Sequence, residues 1–258
     1  MKYLIDIAVL LFGGIIGSFL NVCIYRLPRE KSIVSPPSSC PACEKRIEWY
    51  DNMPLISYLF LKGRCRHCGN RISARYPLVE SITAVFFVLL YGKYGLSLEL
   101  PVGMLFVSLL IVISFIDLDF KIIPDALSIG GAVAGLFLAF ARPLFSYLSA
   151  VYGILLGGGI LFAIAFIYQL VTKREGMGGG DIKLLAMIGA FCGIQGVVFS
   201  LMTGSLLGVL VGLPLMLIKG EDARYAIPFG PFLSFGALIY VFVGEELIHG
   251  FFCLLSAG

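Results

Sequence analysis

The sequence predicts an all-α polytopic membrane protein, with about eight transmembrane helices and a small zinc-binding cytoplasmic module between the first and second. Three observations carry this. The 258 residues are 59% hydrophobic, with a mean hydropathy of +0.97, and many apolar runs approach the ~20 residues a bilayer span needs. Those runs are continuous rather than alternating, which argues against a β-barrel. Four of the seven cysteines form two Cys-x-x-Cys pairs inside one polar segment. The net charge is only +3, but ten of the nineteen basic residues lie between Arg26 and Arg75. In so apolar a chain, that clustering reads as membrane topology before nucleic-acid binding, and no nucleic-acid partner is expected.

The expected organisation is a first transmembrane helix at 1–26, a cytoplasmic four-cysteine zinc module at 27–77 and a transmembrane domain at 78–258. The first apolar run continues to about Tyr25 without a small-x-small cleavage site, so it reads as a retained span rather than a removed signal. Gly13, Gly14 and Gly17 within it let a neighbouring helix approach closely. Asn21 and Arg26 mark its polar end. Span two is expected over about Pro77–Tyr91, with Glu80 in its first turn, where a carboxylate suits the helix N-terminus. Span three, Leu100–Phe115, leads into a stretch holding Asp117, Asp119, Lys121 and Asp125. Pro124 starts span four, about Ala126–Phe140, and span five follows over about Leu144–Val171.

From Ile182 to Ile218 the chain is mostly apolar. One helix of that length would reach ~55 Å at 1.5 Å per residue, so a break is expected at Gly193-Ile194-Gln195-Gly196. It yields a short span six and a longer span seven. Span eight follows Pro228-Phe229-Gly230-Pro231 and runs to about Phe252. With eight spans and both termini outside, only Lys2, Lys93 and Arg142 lie outside. The other basic residues are cytoplasmic, a decisive positive-inside asymmetry. Asp117 and Asp181 then share the cytoplasmic boundary.

A module of about fifty residues is too short for a convincing core and needs a staple. Cys40-Pro-Ala-Cys43 and Cys65-Arg-His-Cys68 have the spacing of two zinc knuckles. Four thiolates close a tetrahedron around one Zn²⁺, and Gly69 suits the tight turn after the second pair. Disulfides and redox thiols are the alternatives, and a cytosolic location disfavours disulfides. His67 sits inside a knuckle whose four cysteines already fill the shell, so it is expected to be exposed and not a ligand. Cys23, Cys192 and Cys253 read as small apolar residues of the spans.

The glycine-rich stretch Gly176-Met177-Gly178-Gly179-Gly180-Asp181-Ile182-Lys183 is a poor membrane helix, and an ionised carboxylate beside lipid costs roughly 3 kcal/mol or more. Its acid therefore invites a functional reading, and Asp117 at matching depth supplies a partner. Two close carboxylates can share a proton. The ionised one takes a proton from water, which attacks an amide carbonyl, while the protonated one hydrogen-bonds the carbonyl oxygen. Topology alone equally allows a transporter that uses these carboxylates for ions or protons.

Further motifs extend over almost the whole chain: Gly17-Ser18-Phe19-Leu20-Asn21-Val22, Asp51-Asn52-Met53-Pro54, Gly63-Arg64-Cys65-Arg66-His67-Cys68, Arg75-Tyr76-Pro77-Leu78-Val79-Glu80, the Asp117–Asp125 stretch and Gly178-Gly179-Gly180-Asp181. With them the chain resembles the bacterial type IV prepilin peptidases, bifunctional leader peptidase/N-methyltransferases of pilus and type II secretion systems. The resemblance implies catalytic aspartates at Asp117, seven residues before Pro124, and at Asp181, which ends the Gly-x-Gly-Asp motif. It implies type IV prepilins or type II secretion pseudopilins as substrates, cut after glycine at the cytoplasmic face of the bacterial inner membrane. The new N-terminus is then methylated with S-adenosylmethionine. Gly63 and the zinc module, with Cys40, Cys43, Cys65 and Cys68 as metal ligands, are the implied region for that second activity. Asp119 reads as a solvated neighbour and Asp125 as a helix-start acid.

Overall fold

The structure is a computed structural model that describes residues 2–143, 145–173, 178–219, 228–244 and 246–247. Gly176 and Met177, the charged turn at 220–224, the end of span eight and Cys253 lie outside the described residues. Among those described, eight α-helices are α1 Lys2–Arg26, α2 Ile56–Phe60, α3 Arg75–Tyr94, α4 Glu99–Phe120, α5 Asp125–Ala139, α6 Tyr147–Thr172, α7 Gly179–Lys219 and α8 Gly230–Ile239. They contain no strand beyond the isolated bridges Ser39–Arg46 and Arg64–Arg71. Five helices are long and apolar enough to cross a membrane, and two apolar segments, Asp125–Ala139 and Gly230–Gly244, are shorter.

The chain divides into two units, residues 1–112 and 113–258. In the first, α1 and α3 run antiparallel at close range because glycines remove the side chains between them. A β-carbon built on Gly17 would sit 2.7 Å from the Cα of Glu80, and one on Gly13 would sit 2.6 Å from the Cα of Ala84. One turn further on, the Asn21 amide donates from Nδ2 to the Tyr76 carbonyl at 3.0 Å. α3 stops at Gly95, whose φ of +59° ends the helix.

In the second unit, α6 packs backbone to backbone against the first part of α7. Gly153 faces Gly189, and Gly157 faces Leu185. α7 is two helices joined at Gly193, where φ is +68° and ψ is −167°, a conformation that only glycine adopts without penalty. The contacts show that the chain reverses there. Gly180, before the break, lies against Ile123, and Gly193 lies against Phe145 and Ser149. After it, Gly196 meets Tyr240, Gly204 meets Leu233 and Gly208 meets Phe229, while Gly230 returns to Ile123. The second arm thus brings the chain back to the end from which the first arm left. Counting the two arms separately, and α8 with the wide turn Tyr240–Gly244, the described residues hold eight apolar helical segments, α2 not among them.

Arg142 closes the reversal. It donates to the Phe191 carbonyl at 2.7 Å, in the last turn before the break, and stacks over the Phe145 ring at 4.0 Å. Arg142→Ala removes a charge-assisted hydrogen bond and should cost about 1–3 kcal/mol. A thermal melt of purified protein checks this, with Arg142→Lys falling between the two.

Candidate active site and metal centre

α4 runs past Asp117 to Phe120, so the acid sits on its last turn rather than after it. The helix ends where Lys121 adopts φ +56° and donates its N–H to the Asp117 carbonyl at 2.9 Å. Ile122 and Ile123 then lead to Pro124, which starts α5. The Asp117 side chain is buried, with 5% exposure, and its Oδ2 accepts the Gly230 N–H at 3.0 Å. That amide opens α8 and has no helical acceptor of its own, so carboxylate and helix N-terminus satisfy each other.

Asp181 lies in the first turn of α7 and is half-buried. It is within electrostatic range of Asp117. Ile123 ties the arrangement together. A β-carbon built on Gly180 would lie 2.9 Å from its Cβ, and one built on Gly230 would lie 3.2 Å from its Cδ1. Asp119 is exposed. Asp125 is exposed as well, and its Oδ1 takes the Lys183 ammonium at 2.6 Å. That ion pair links the start of α5 to the start of α7 at the rim of the site.

The Gly230 position follows from Asp117. A β-carbon there would stand 2.6 Å from Oδ2, so alanine must push the carboxylate aside. Gly230→Ala is expected to slow the chemistry of this site by about 10²-fold, the usual cost of a small misplacement of a reacting group. Peptide cleavage, normalised to the folded protein recovered, measures it.

The candidate metal centre is built from one turn used twice. Glu44 N–H donates to the Cys40 carbonyl at 2.8 Å, and Gly69 N–H donates to the Cys65 carbonyl at 2.9 Å. The N–H groups of Cys40 and Cys65 in turn donate to the carbonyls of Lys45 and Asn70. Gly69 is left-handed at φ +71°, and Glu44 takes the same region at +58°. The two turns bring Cys40, Cys43, Cys65 and Cys68 together with all four sulfurs within 4.8 Å of one another. The sulfurs of Cys40 and Cys68 are 3.8 Å apart, which matches the ~3.8 Å edge of a tetrahedron with Zn–S bonds of about 2.3 Å.

The electrostatics also call for a cation. The backbone amides of Cys68 and His67 hold the Cys65 thiol down to about 7. The Asn70 amide favours the Cys68 thiolate, but desolvation and the thiols of Cys43, Cys65 and Cys40 outweigh it and push Cys68 up to about 11. A cation among the four sulfurs would favour the Cys68 thiolate against that neighbouring charge. His67 is exposed and outside the cluster.

Residues 11–94 match the family model described as the bacterial peptidase A24 N-terminal domain, and residues 104–213 match the type IV leader peptidase family. A prepilin leader peptidase/N-methyltransferase of Pseudomonas putida is 37% identical over 267 residues, covering 95% of this chain and 92% of the relative. Its namesake in Bacillus subtilis is 36% identical over 248 residues, covering 96% and 98%. The chain belongs to the type IV leader peptidase family. No solved structure matches.

Within this leader peptidase, the N-terminal match holds the four cysteines and Gly63, and the second match holds both aspartates. Gly230 lies beyond both matches, and the sequence marks it only as punctuation before span eight. Gly63 is left-handed at φ +67°, and a β-carbon on it would stand 2.9 Å from the Tyr58 hydroxyl oxygen. Its open face is therefore covered by the Tyr58 ring, just before the second knuckle.

Proposed function

We propose that this protein removes the leaders of type IV prepilins or type II secretion pseudopilins and N-methylates the new N-terminus. The placement of Asp117 carries the first half of that reading: a buried carboxylate oriented by a helix N-terminal amide, with Asp181 in electrostatic range. One carboxylate accepts a proton from water, the water oxygen bonds to the carbonyl carbon of the leader glycine, and the protonated carboxyl hydrogen-bonds the carbonyl oxygen. Collapse of that adduct breaks the C–N bond as a proton passes to the departing amine. Either acid can hold the starting proton, since the dyad titrates as a pair. Membership in the leader peptidase family favours this reading over an ion pathway through the same carboxylates.

The cut falls at the cytoplasmic face of the bacterial inner membrane, in line with the positive-inside count. Zn²⁺ held by Cys40, Cys43, Cys65 and Cys68 staples the segment between α1 and α3. S-adenosylmethionine is the methyl donor. Gly63 serves the methyl-transfer half by letting Tyr58 pack over the chain ahead of Cys65. The test is product mass after incubating purified protein with a prepilin and S-adenosylmethionine. Loss of the leader plus one methyl mass is the expected result. Leader loss without the methyl removes the second activity, and intact substrate from several prepilins removes the first.

A further inference from the structure

The stretch Trp49–Phe60 lies in the polar segment that the sequence assigns to the cytoplasm, yet it has the marks of a membrane-inserted element. Its depth comes from the helix beside it. A β-carbon built on Gly14 would lie 3.3 Å from the Pro54 side chain. Gly14 is twelve residues from Arg26, the last residue of α1, about 18 Å along the axis at 1.5 Å per residue. A headgroup layer is only roughly 5–8 Å deep. Leu55 lies about one turn shallower: its N–H donates to Glu80 Oε2 at 2.9 Å, and Glu80 packs on Gly17 of α1, nine residues or about 14 Å from Arg26.

Irregular backbone survives at that depth only if its polar groups are satisfied within the protein, and the N–H groups of Met53–Ser57 are. Met53 N–H donates to the Ser57 hydroxyl oxygen at 3.1 Å, and Leu55 N–H donates to Glu80. Ile56 N–H reaches the Pro54 carbonyl at 2.6 Å, and Ser57 N–H the Met53 carbonyl at 3.1 Å. Pro54 has no N–H to satisfy. The Ser57 hydroxyl donates its own proton to the Tyr50 carbonyl at 2.7 Å. Glu80, 8% exposed, also takes a hydrogen bond from Ser18. It thus serves as the acceptor that lets Leu55 hold φ +60°, ψ −45°.

Apart from Asn52, the exposed side chains of the stretch are apolar or aromatic. Leu59 is 75% exposed, Phe60 83% and Trp49 79%, with Tyr50, Met53 and Ile56 exposed beside them. None of the ten basic residues between Arg26 and Arg75 falls in this stretch. Its one charge, Asp51, is paired through two oxygens with Arg66 at 2.6–3.1 Å. α1 itself exposes apolar side chains at the same level, including Leu10, Leu11, Ile15 and Phe19.

We infer that Trp49–Phe60 is a re-entrant segment whose Ile56, Leu59 and Phe60 contact phospholipid acyl chains, with Trp49 at the headgroup level. The cytoplasmic module is then the two cysteine turns and their flanks, anchored to the bilayer between them.

Trp49 is the only tryptophan in the chain, so the wild-type protein carries its own probe. In phosphatidylcholine/phosphatidylglycerol liposomes, lipids brominated near the headgroup should quench Trp49 at least about twofold more than aqueous iodide does, as for an interfacial residue. Moving the probe with Trp49→Phe plus Phe60→Trp should shift the strongest quenching to lipids brominated further down the chain. Iodide quenching of either probe at the level of free tryptophan, with no effect of brominated lipid, would overturn the inference. So would protection from both quenchers, which would mean the surface is covered by protein, including a second copy of this chain. If the double variant fails to fold, the wild-type Trp49 measurement still decides whether the segment meets lipid.

Discussion

Asp181→Asn and Asp117→Asn are each expected to reduce leader removal by roughly 10²–10⁴-fold, the range that positioned acid–base groups contribute. Asparagine keeps the size of the side chain and its amide oxygen still accepts the Gly230 N–H, so the local packing seen at Asp117 is retained while the proton is lost. The two variants should therefore resemble the wild type in yield, melting temperature and zinc content. Combining them should cost little beyond either alone, because groups that work as a unit are non-additive. Product mass spectrometry on the three variants and the wild type measures this. A single variant that cleaves at the wild-type rate would remove that residue from the dyad. Additive losses would mean that the two acids act in separate steps.

The second large effect is expected from the metal. Structural zinc contributes on the order of 10 kcal/mol or more to folding of a small unit with four cysteine ligands, and the two cysteine turns between α1 and α3 form only isolated bridges. The two cysteine turns are held by the four sulfurs and short backbone hydrogen bonds, with Arg66 of the second turn also paired to Asp51. Metal analysis should find about one Zn²⁺ per chain, and Cys40→Ser or a strong chelator should remove it. Trypsin then reports the consequence, because ten of its cleavage sites lie between Arg26 and Arg75. Loss of metal should expose them at least about tenfold faster, in keeping with a unit folded only when metallated. Metal-free protein with an unchanged digestion pattern would exclude zinc as the staple.

Most of the architecture is readable because it rests on short-range rules. Apolar run length marks the spans, and the run from Ile182 to Ile218 is too long for one of them, which forces a break that the structure puts at Gly193. The cysteine spacing points to the cluster because a knuckle is a local turn. Asp117 and Asp181 pair on topology, which places residues by depth alone.

Less is readable wherever a partner comes from distant sequence. Nothing near Gly230 says that its amide faces a carboxylate 113 residues away. Glu80 reads as a carboxylate favourable at a helix start, whereas its partner is the Leu55 amide, 25 residues earlier. Trp49–Phe60 groups with its basic flanks, since a window averaging over them hides an apolar stretch that carries one paired charge. Phe115 looks like the end of span three because the acids that follow resemble a boundary. The helix continues to Phe120 because Asp117 is buried and accepts an amide from another element.

Ile123 touches the glycines beside both acids. Those glycines leave room for Ile123 and no side chains of their own, so the fit between the start of α7 and the start of α8 depends on the bulk of a single residue. Such a shim makes the spacing adjustable by one methyl group at a time. Valine at 123 would let α7 and the start of α8 settle toward each other, and a larger residue would wedge them apart, without touching either acid. Drift at this one position would shift the start of α7, which carries Asp181, against the start of α8, whose amide holds Asp117.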